Sequence, residues 1–65
     1  MTISANQVRS AAKTGQPIRV KSTVDGDYGY AHRVSSAKDW SKGYVEVGFD
    51  NGQRVWVDPK DLVAA

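Results

Sequence analysis

The stretch that decides the fold is Gly43-Tyr-Val-Glu-Val-Gly-Phe-Asp-Asn-Gly-Gln-Arg-Val-Trp-Val-Asp-Pro-Lys-Asp-Leu62. Apolar and polar residues alternate on both sides of Asp50-Asn51-Gly52, and this pattern predicts a β-hairpin with strands at 44–49 and 54–57. The length of the loop then decides which side chains share a face of the hairpin. A two-residue Asn51-Gly52 turn would mix apolar and charged side chains on both faces.

A three-residue loop separates the two kinds of side chain. Asp50 and Asn51 would be right-handed and Gly52 left-handed, which glycine allows without strain. One face would then carry Val45, Val47, Phe49, Val55 and Val57. The other would carry Tyr44, Glu46, Gly48, Arg54, Trp56 and Asp58. We predict this register, because a slip by one residue would expose the whole apolar set to water at about 1.5–3 kcal/mol per side chain.

This segment resembles the distal half of SH3-like barrels of the Tudor and KOW types. Those barrels often continue from such a hairpin through a single helical turn, here around Lys60 and Asp61, to a closing leucine, here Leu62. Ile18-Arg-Val-Lys21, the glycine-containing loop after it and the strand pattern from residue 30 resemble their first two strands. The resemblance covers about residues 17–63 and implies a nucleic-acid binder, a methyl-lysine or peptide reader, or a subunit adaptor. No aromatic cage is assigned from it.

The N-terminus carries the signature of a helix start. Ser4 is a good N-cap, Gln7 completes a capping box, and Ile3 and Val8 occupy the positions of a hydrophobic staple. Gly15 suits the residue after the helix end. The pattern predicts a helix over residues 5–14 with an apolar stripe of Ala5, Val8, Ala11 and Ala12. We therefore expect one mainly-β domain, a five-stranded SH3-like small barrel (17–63) with an N-terminal α-helix.

Length and composition limit the chemistry of the 65-residue chain. It has no cysteine and one histidine, so we expect no disulfide, metal site or cofactor. Asp25-Gly26-Asp27-Tyr28-Gly29 offers too few oxygen ligands for calcium and is better explained by turn chemistry. No nucleophile motif is present, and so small a domain encloses a reaction pocket with difficulty; we expect no enzyme. Without a long apolar stretch or a secretory signal pattern, the sequence favours a cytoplasmic protein with no membrane contact.

The charge distribution favours an anionic partner. Although the net charge is only +2, residues 1–24 carry four basic and no acidic side chains. The candidate phosphate contacts are Arg9, Lys13, Arg19, Lys21, Arg33 and Arg54. The candidate aromatic contacts are Tyr28, Tyr30, Tyr44 and Trp56. These cations form one continuous patch only if the helix and the first strand present neighbouring faces.

Some aromatic residues admit more than one interpretation. We favour coverage of Trp56 by the N-terminal helix, with an exposed binding face or a dimer contact as alternatives. For Trp40 we favour a plug in the open end of the barrel over an exposed anchor. Strand alternation places Tyr30, His32 and Val34 on one face of the second strand, predicted over 30–35.

Three functional hypotheses follow from these patterns. The leading one is weak nucleic-acid binding, largely to the phosphate backbone, with aromatic support. The rival is a protein-interaction module, an adaptor or inhibitor that docks through Trp40 or Trp56. The third is a homo-oligomer in which several barrels together enclose a site. The sequence does not fix the oligomeric state.

Overall fold

The computed structural model describes residues 2–65, and its strands form one antiparallel sheet. In chain order the elements are α1 (Ala5–Lys13), β1 (Ile18–Ser22), β2 (Tyr28–Val34), β3 (Val45–Phe49), β4 (Arg54–Val57), a 3-10 turn (Pro59–Asp61) and β5 (Leu62–Ala64). The strand order is β4-β3-β2-β1-β5, so within the described residues the sheet is open, with β4 and β5 at its edges. The mainly-β class and the N-terminal helix are confirmed.

The predicted hairpin register is confirmed. Val45 lies opposite Val57 and Val47 opposite Val55. The Phe49 N–H donates to the Gln53 carbonyl at 2.7 Å, and Gly52 has the left-handed φ of 93° that the three-residue loop requires. Sequence reasoning was wrong about Val55, which is 42% exposed. β4 is an edge strand with a neighbour on one side only, so its inward side chains lie at the rim of the core.

The helix is capped as predicted. The Ser4 hydroxyl accepts from the Gln7 N–H at 3.2 Å, and the Ser4 N–H donates to Gln7 Oε1 at 2.7 Å. Gly15 follows the helix with φ 73°. Ile3 and Val8 are both buried in the core, as a staple requires, but Ala12 is exposed. The contact between helix and sheet is thus narrower than the predicted four-residue stripe.

The core lies between α1 and one side of the sheet, which we call the inner face. Its buried members are Ile3, Val8, Val20, Ala31, Val45, Val47 and Leu62. Ile18, Val34, Phe49 and Val57 pack against it. The helix makes its main contact with β2, the central strand. It therefore covers the inner face and leaves the opposite face uncovered, so the prediction that it covers Trp56 is wrong.

A β-bulge corrects the predicted alternation of the second strand. β2 begins at Tyr28, two residues earlier than expected, and its register to β3 shifts between Ala31 and Arg33. The extra residue puts both Ala31 and Val34 on the inner face, while Tyr30 and Arg33 point outward. Tyr30 and Val34 thus lie on opposite faces, contrary to the prediction. The alternation of apolar and polar residues in the sequence does not reveal where a bulge lies.

None of the described helices is both long and apolar enough to cross a membrane.

Candidate nucleic-acid interface

The face opposite the core carries most of the predicted contacts. We define the outer face by the side chains of Arg19, Lys21, Tyr28, Tyr30, Arg33, Glu46, Arg54 and Trp56. Strand register brings them together in rows: Lys21 lies opposite Tyr28, and Arg19 opposite Tyr30. The next row places Arg33, Glu46 and Trp56 side by side across three strands. Eight residues on four strands therefore form one surface.

Two tyrosines and two cations form one half of this surface, which we call the tyrosine platform (Arg19, Lys21, Tyr28 and Tyr30). Tyr28 and Tyr30 are 44% and 43% exposed. The Arg19 guanidinium lies 4.7 Å from the Tyr30 ring centroid and 5.4 Å from that of Tyr28. The Lys21 ammonium lies 5.5 Å from the Tyr28 centroid. Each ring therefore has a positive charge against it in a cation–π contact, and the remainder of its surface is open to solvent.

Asp50 in the hairpin loop orients Arg19. The guanidinium donates two hydrogen bonds to the carboxylate, at 2.8 and 2.7 Å. Hydrogen bonding to Arg19 holds the pKa of Asp50 below its ordinary value, and the same bonds raise the pKa of Arg19. The three-residue loop places this carboxylate next to the tyrosine platform. Arg19 is thus fixed in position, while the ion pairs found within residues 2–65 do not include Lys21.

The second half of the outer face is built around Glu46. Its carboxylate accepts from Arg33 Nε at 3.1 Å, and Arg54 Nε lies 3.9 Å away. Hydrogen bonding to Arg33, with the nearby charges of Arg33 and Arg54, lowers the pKa of Glu46. The Arg33 guanidinium also stacks over Trp56, 5.3 Å from its ring. Two arginines therefore share one carboxylate, and Arg33 also contacts the indole ring.

The outer face has an excess of positive charge. Arg19, Lys21, Arg33 and Arg54 contribute four positive charges, and Glu46 and Asp50 remove two through their ion pairs. Lys21, which is in none of these ion pairs, lies over the exposed Tyr28 ring. This combination can attract an anionic chain and stack its planar groups.

Two predicted phosphate contacts lie elsewhere. Arg9 and Lys13 belong to α1, which packs on the inner face through Val8. They are therefore on the opposite side of the sheet from Arg19 and Lys21. The single continuous basic patch that the sequence allowed is not formed.

Tyr44 and Trp40 form a separate aromatic pair beside the sheet. Their rings meet edge to face with centroids 5.8 Å apart. Trp40 is 71% exposed, so the prediction that it plugs the barrel is wrong. The loop instead buries two small polar residues, Ser35 and Ser41, whose hydroxyls are 3.0 Å apart. Each of the two buried hydroxyl groups therefore has a hydrogen-bond partner, and the indole ring of Trp40 is not needed to fill the interior of the loop.

Sequence reasoning missed the carboxylates that organise the cations. Glu46 was assigned to the correct face but not to Arg33, because their pairing depends on the β2 bulge. Asp50 was treated only as a turn residue. The register of β3 to β2 places residue 50 beside Tyr28, at the end of the sheet where β2 begins, but only the tertiary contact identifies Arg19 as its partner.

The glycine-containing loop shows turn chemistry. The Asp25 carboxylate accepts from the Asp27 N–H at 3.1 Å, and Gly26 has φ 78°. Within residues 2–65, no three histidine, aspartate or glutamate side chains are grouped to hold a metal ion.

Comparisons with protein-family models, curated proteins and solved structures find no match for this chain. The function is therefore inferred from the geometry of the outer face.

Proposed function

We propose that the chain is an SH3-like small barrel that binds nucleic acid without catalysis. The strand order β4-β3-β2-β1-β5 and the 3-10 turn between β4 and β5 support the barrel. In that architecture the sheet curls around the core, and here α1 and the bridge between Thr2 and Val63 lie beside that core. The proposed barrel comprises residues 17–63, and α1 is an additional element outside it.

The tyrosine platform is the observation that carries the functional proposal. Tyr28 and Tyr30 are exposed on the same face of one strand and are flanked by Arg19 and Lys21. Aromatic rings that stack bases contribute about 1–3 kcal/mol per base, and they accept any base. Unpaired bases can reach such rings, whereas the bases of a duplex are stacked on each other. We therefore propose single-stranded nucleic acid as the ligand.

The cations supply the sequence-independent part of the affinity. Lys21, Arg33 and Arg54 border the two aromatic groups and would contact phosphates, while Arg19 is held by Asp50. Each phosphate contact with a single strand adds about 0.7 to the slope of log affinity against log salt. Two to four contacts predict a loss of about 7- to 50-fold between 50 and 200 mM salt. Affinity for single-stranded DNA and RNA that does not fall over this range contradicts the proposal.

Matched variants separate stacking from charge. Tyr30→Ala removes one ring of the platform, and we expect about 5- to 100-fold weaker binding to a short single strand. Tyr30→Phe retains the ring and should retain most of the affinity. Trp40→Ala is the control, because Trp40 is equally aromatic but lies in the loop beside Tyr44. An equal loss in Tyr30→Ala and Trp40→Ala would argue against the platform as the binding site.

The exposure of Trp40 favours a second candidate, a protein-interaction module. A tryptophan that is 71% exposed on a small domain is typical of a contact that a partner buries. This candidate predicts no salt-dependent affinity for nucleic acid and a loss of partner binding in Trp40→Ala. Retained partner binding in Trp40→Ala and Trp56→Ala would contradict it.

A further inference from the structure

A pocket opens between α1 and the loop that joins β2 to β3. Its volume is about 580 Å³, and its walls include Arg9 from the helix and Ser35, Ser36, Lys38, Lys42 and Gly43 from the loop. Because Arg9 belongs to the helix that covers the inner face, the pocket opens on the helix side of the molecule. It does not share a lining residue with the outer face.

Three cations converge on this pocket from two distant segments of the chain. Arg9 comes from the middle of α1, and Lys38 and Lys42 flank the turn in the loop. Within the described part of the chain, residues 2–65, no aspartate or glutamate lines the pocket. The ion pairs of residues 2–65 all use other cations, namely Arg19, Arg33 and Arg54. The positive charge of the pocket is therefore not neutralised by a neighbouring carboxylate.

Asp39 is the acidic residue closest in sequence to Lys38 and Lys42, and its carboxylate already accepts hydrogen bonds from another residue. Its carboxylate accepts from the Ser41 N–H at 2.9 Å and from the Ser41 hydroxyl at 2.7 Å. These bonds to the Ser41 backbone and side chain hold the pKa of Asp39 below its ordinary value. The carboxylate thus stabilises the turn between the two lysines instead of pairing with either one.

Hydrogen bonds below the pocket fix the loop in shape. The buried Ser35 and Ser41 hydroxyls are 3.0 Å apart, and the Ala37 N–H donates to Ser35 Oγ at 3.1 Å. On the helix side, Arg9 Nη1 donates to Asn6 Oδ1 at 2.7 Å, which uses one of five guanidinium N–H groups and orients the rest. Arg9 is therefore oriented on one wall, and on the other wall the backbone that carries the two lysines is fixed.

We propose that this pocket binds the phosphate group of a nucleotide-sized ligand. A phosphate carries the charge and the acceptor oxygens that one guanidinium, two ammonium groups and the Ser36 hydroxyl can engage together. The volume falls in the range of about 300–1,000 Å³ that small-molecule sites occupy, which is larger than a bare phosphate needs. The phosphate belongs either to a free nucleotide or to the end of a strand.

The test is an NMR titration of the full-length chain with inorganic phosphate, AMP and adenosine. We expect AMP to shift the amide signals of residues 36–38 and 42–43 with a dissociation constant on the order of 1 mM or tighter. Phosphate should shift the same signals more weakly, and adenosine should leave them unchanged. The absence of these shifts with both AMP and phosphate at about 10 mM, together with no effect of a terminal phosphate, would overturn the proposal.

A pair of substitutions on one helix controls for general charge. Arg9→Gln removes a pocket cation, and we expect AMP binding about tenfold weaker. Lys13→Gln removes an equal charge one turn later, outside the pocket, and should change the affinity by less than about twofold. Both side chains are exposed, so both variants should fold. If both substitutions weaken AMP binding equally, AMP is attracted by the general positive charge of the chain, and the proposed site is contradicted.

Two oligonucleotides distinguish the source of the phosphate. A short strand with a 5′-phosphate that shifts the pocket signals more strongly than its 5′-hydroxyl counterpart would assign the pocket to strand ends. Shifts with AMP alone would assign it to free nucleotides. Either result supports a phosphate site, and neither depends on binding at the outer face, whose own signals in β1 and β2 are observed separately.

Discussion

The two faces of the sheet differ in what holds their residues in place. On the inner face, aliphatic side chains such as Val20, Val45 and Val47 are completely buried beneath α1. On the outer face, aromatic and charged side chains such as Tyr30 and Arg33 are held by ion pairs and ring contacts in solvent. Buried volume makes large contributions to stability, whereas exposed ion pairs contribute little. The inner face therefore maintains the fold, and the outer face is free to serve binding.

The largest expected effect tests the inner face at β5. Leu62 is fully buried, and Leu62→Ala should lower the free energy of unfolding by about 2–5 kcal/mol. Val63→Ala, the next residue, should cost much less because Val63 lies opposite Lys21 on the outer side of the strand. Chemical denaturation measures both. If Leu62→Ala does not fold, Leu62→Val can be measured instead, with a smaller expected loss of stability. Equal losses of stability at positions 62 and 63 would contradict the assignment of the two residues to opposite faces.

Two glycines on opposite faces give the second comparison. A β-carbon at Gly29, on the inner face, would lie 2.7 Å from the Gly48 carbonyl oxygen, a backbone atom that cannot move aside cheaply. Gly29→Ala should therefore cost about 1–3 kcal/mol. A β-carbon at Gly48 would meet the His32 imidazole at 3.1 Å, on a side chain that can rotate away. Thermal unfolding of both variants should show the larger loss at position 29, and the reverse order would be inconsistent with this packing.

The helix that covers the inner face depends on its cap. Ser4→Ala removes the acceptor of the Gln7 N–H and should lower stability by about 1 kcal/mol. Ser10→Ala, in the exposed middle of the helix, is the control and should be neutral or slightly stabilising. Denaturant midpoints measure the difference. Equal effects of the two substitutions would show that the capping box does not contribute.

The smallest effect is the pH dependence of the outer face. The pKa of Asp50 is lower in the folded chain because of Arg19. The ion pair therefore contributes to the free energy of unfolding above the unfolded pKa of about 3.9. The contribution is lost as the pH falls through the lower, folded value. The difference in stability between the native chain and Asp50→Asn should thus shrink below about pH 4. A difference that grows on acidification would contradict the ion pair.

The hairpin shows how much of the fold the sequence predicts. Alternation on both sides of Asp50-Asn51-Gly52 predicts the loop length, the register and the inward direction of Val45 and Val47, because one slip would expose an entire face. The capping box at Ser4 likewise predicts the start of the helix. These features depend on neighbours in sequence, which is why pattern reasoning reaches them.

The remaining features depend on contacts between distant segments. The bulge at β2 decides that Arg33 meets Glu46 and Trp56, and alternation alone gave the wrong face for Val34. The sequence also does not show which face of the sheet the helix covers, and the prediction that it covers Trp56 was therefore wrong. The pocket at Arg9 and Lys38 joins segments far apart in the chain and has no sequence pattern. The aromatic and basic residue types were predicted, but their grouping required the fold.

The most direct test of the binding face is an amide chemical-shift map of the full-length chain titrated with a short single-stranded oligonucleotide that has a 5′-hydroxyl end. We expect the largest shifts in β1 and β2 around Arg19, Lys21, Tyr28 and Tyr30, with weaker binding as salt rises. The signals of α1 should stay in place, because the helix lies behind the sheet. Shifts confined to the loop around Trp40, or no shifts at low salt, would contradict the outer face as the nucleic-acid interface.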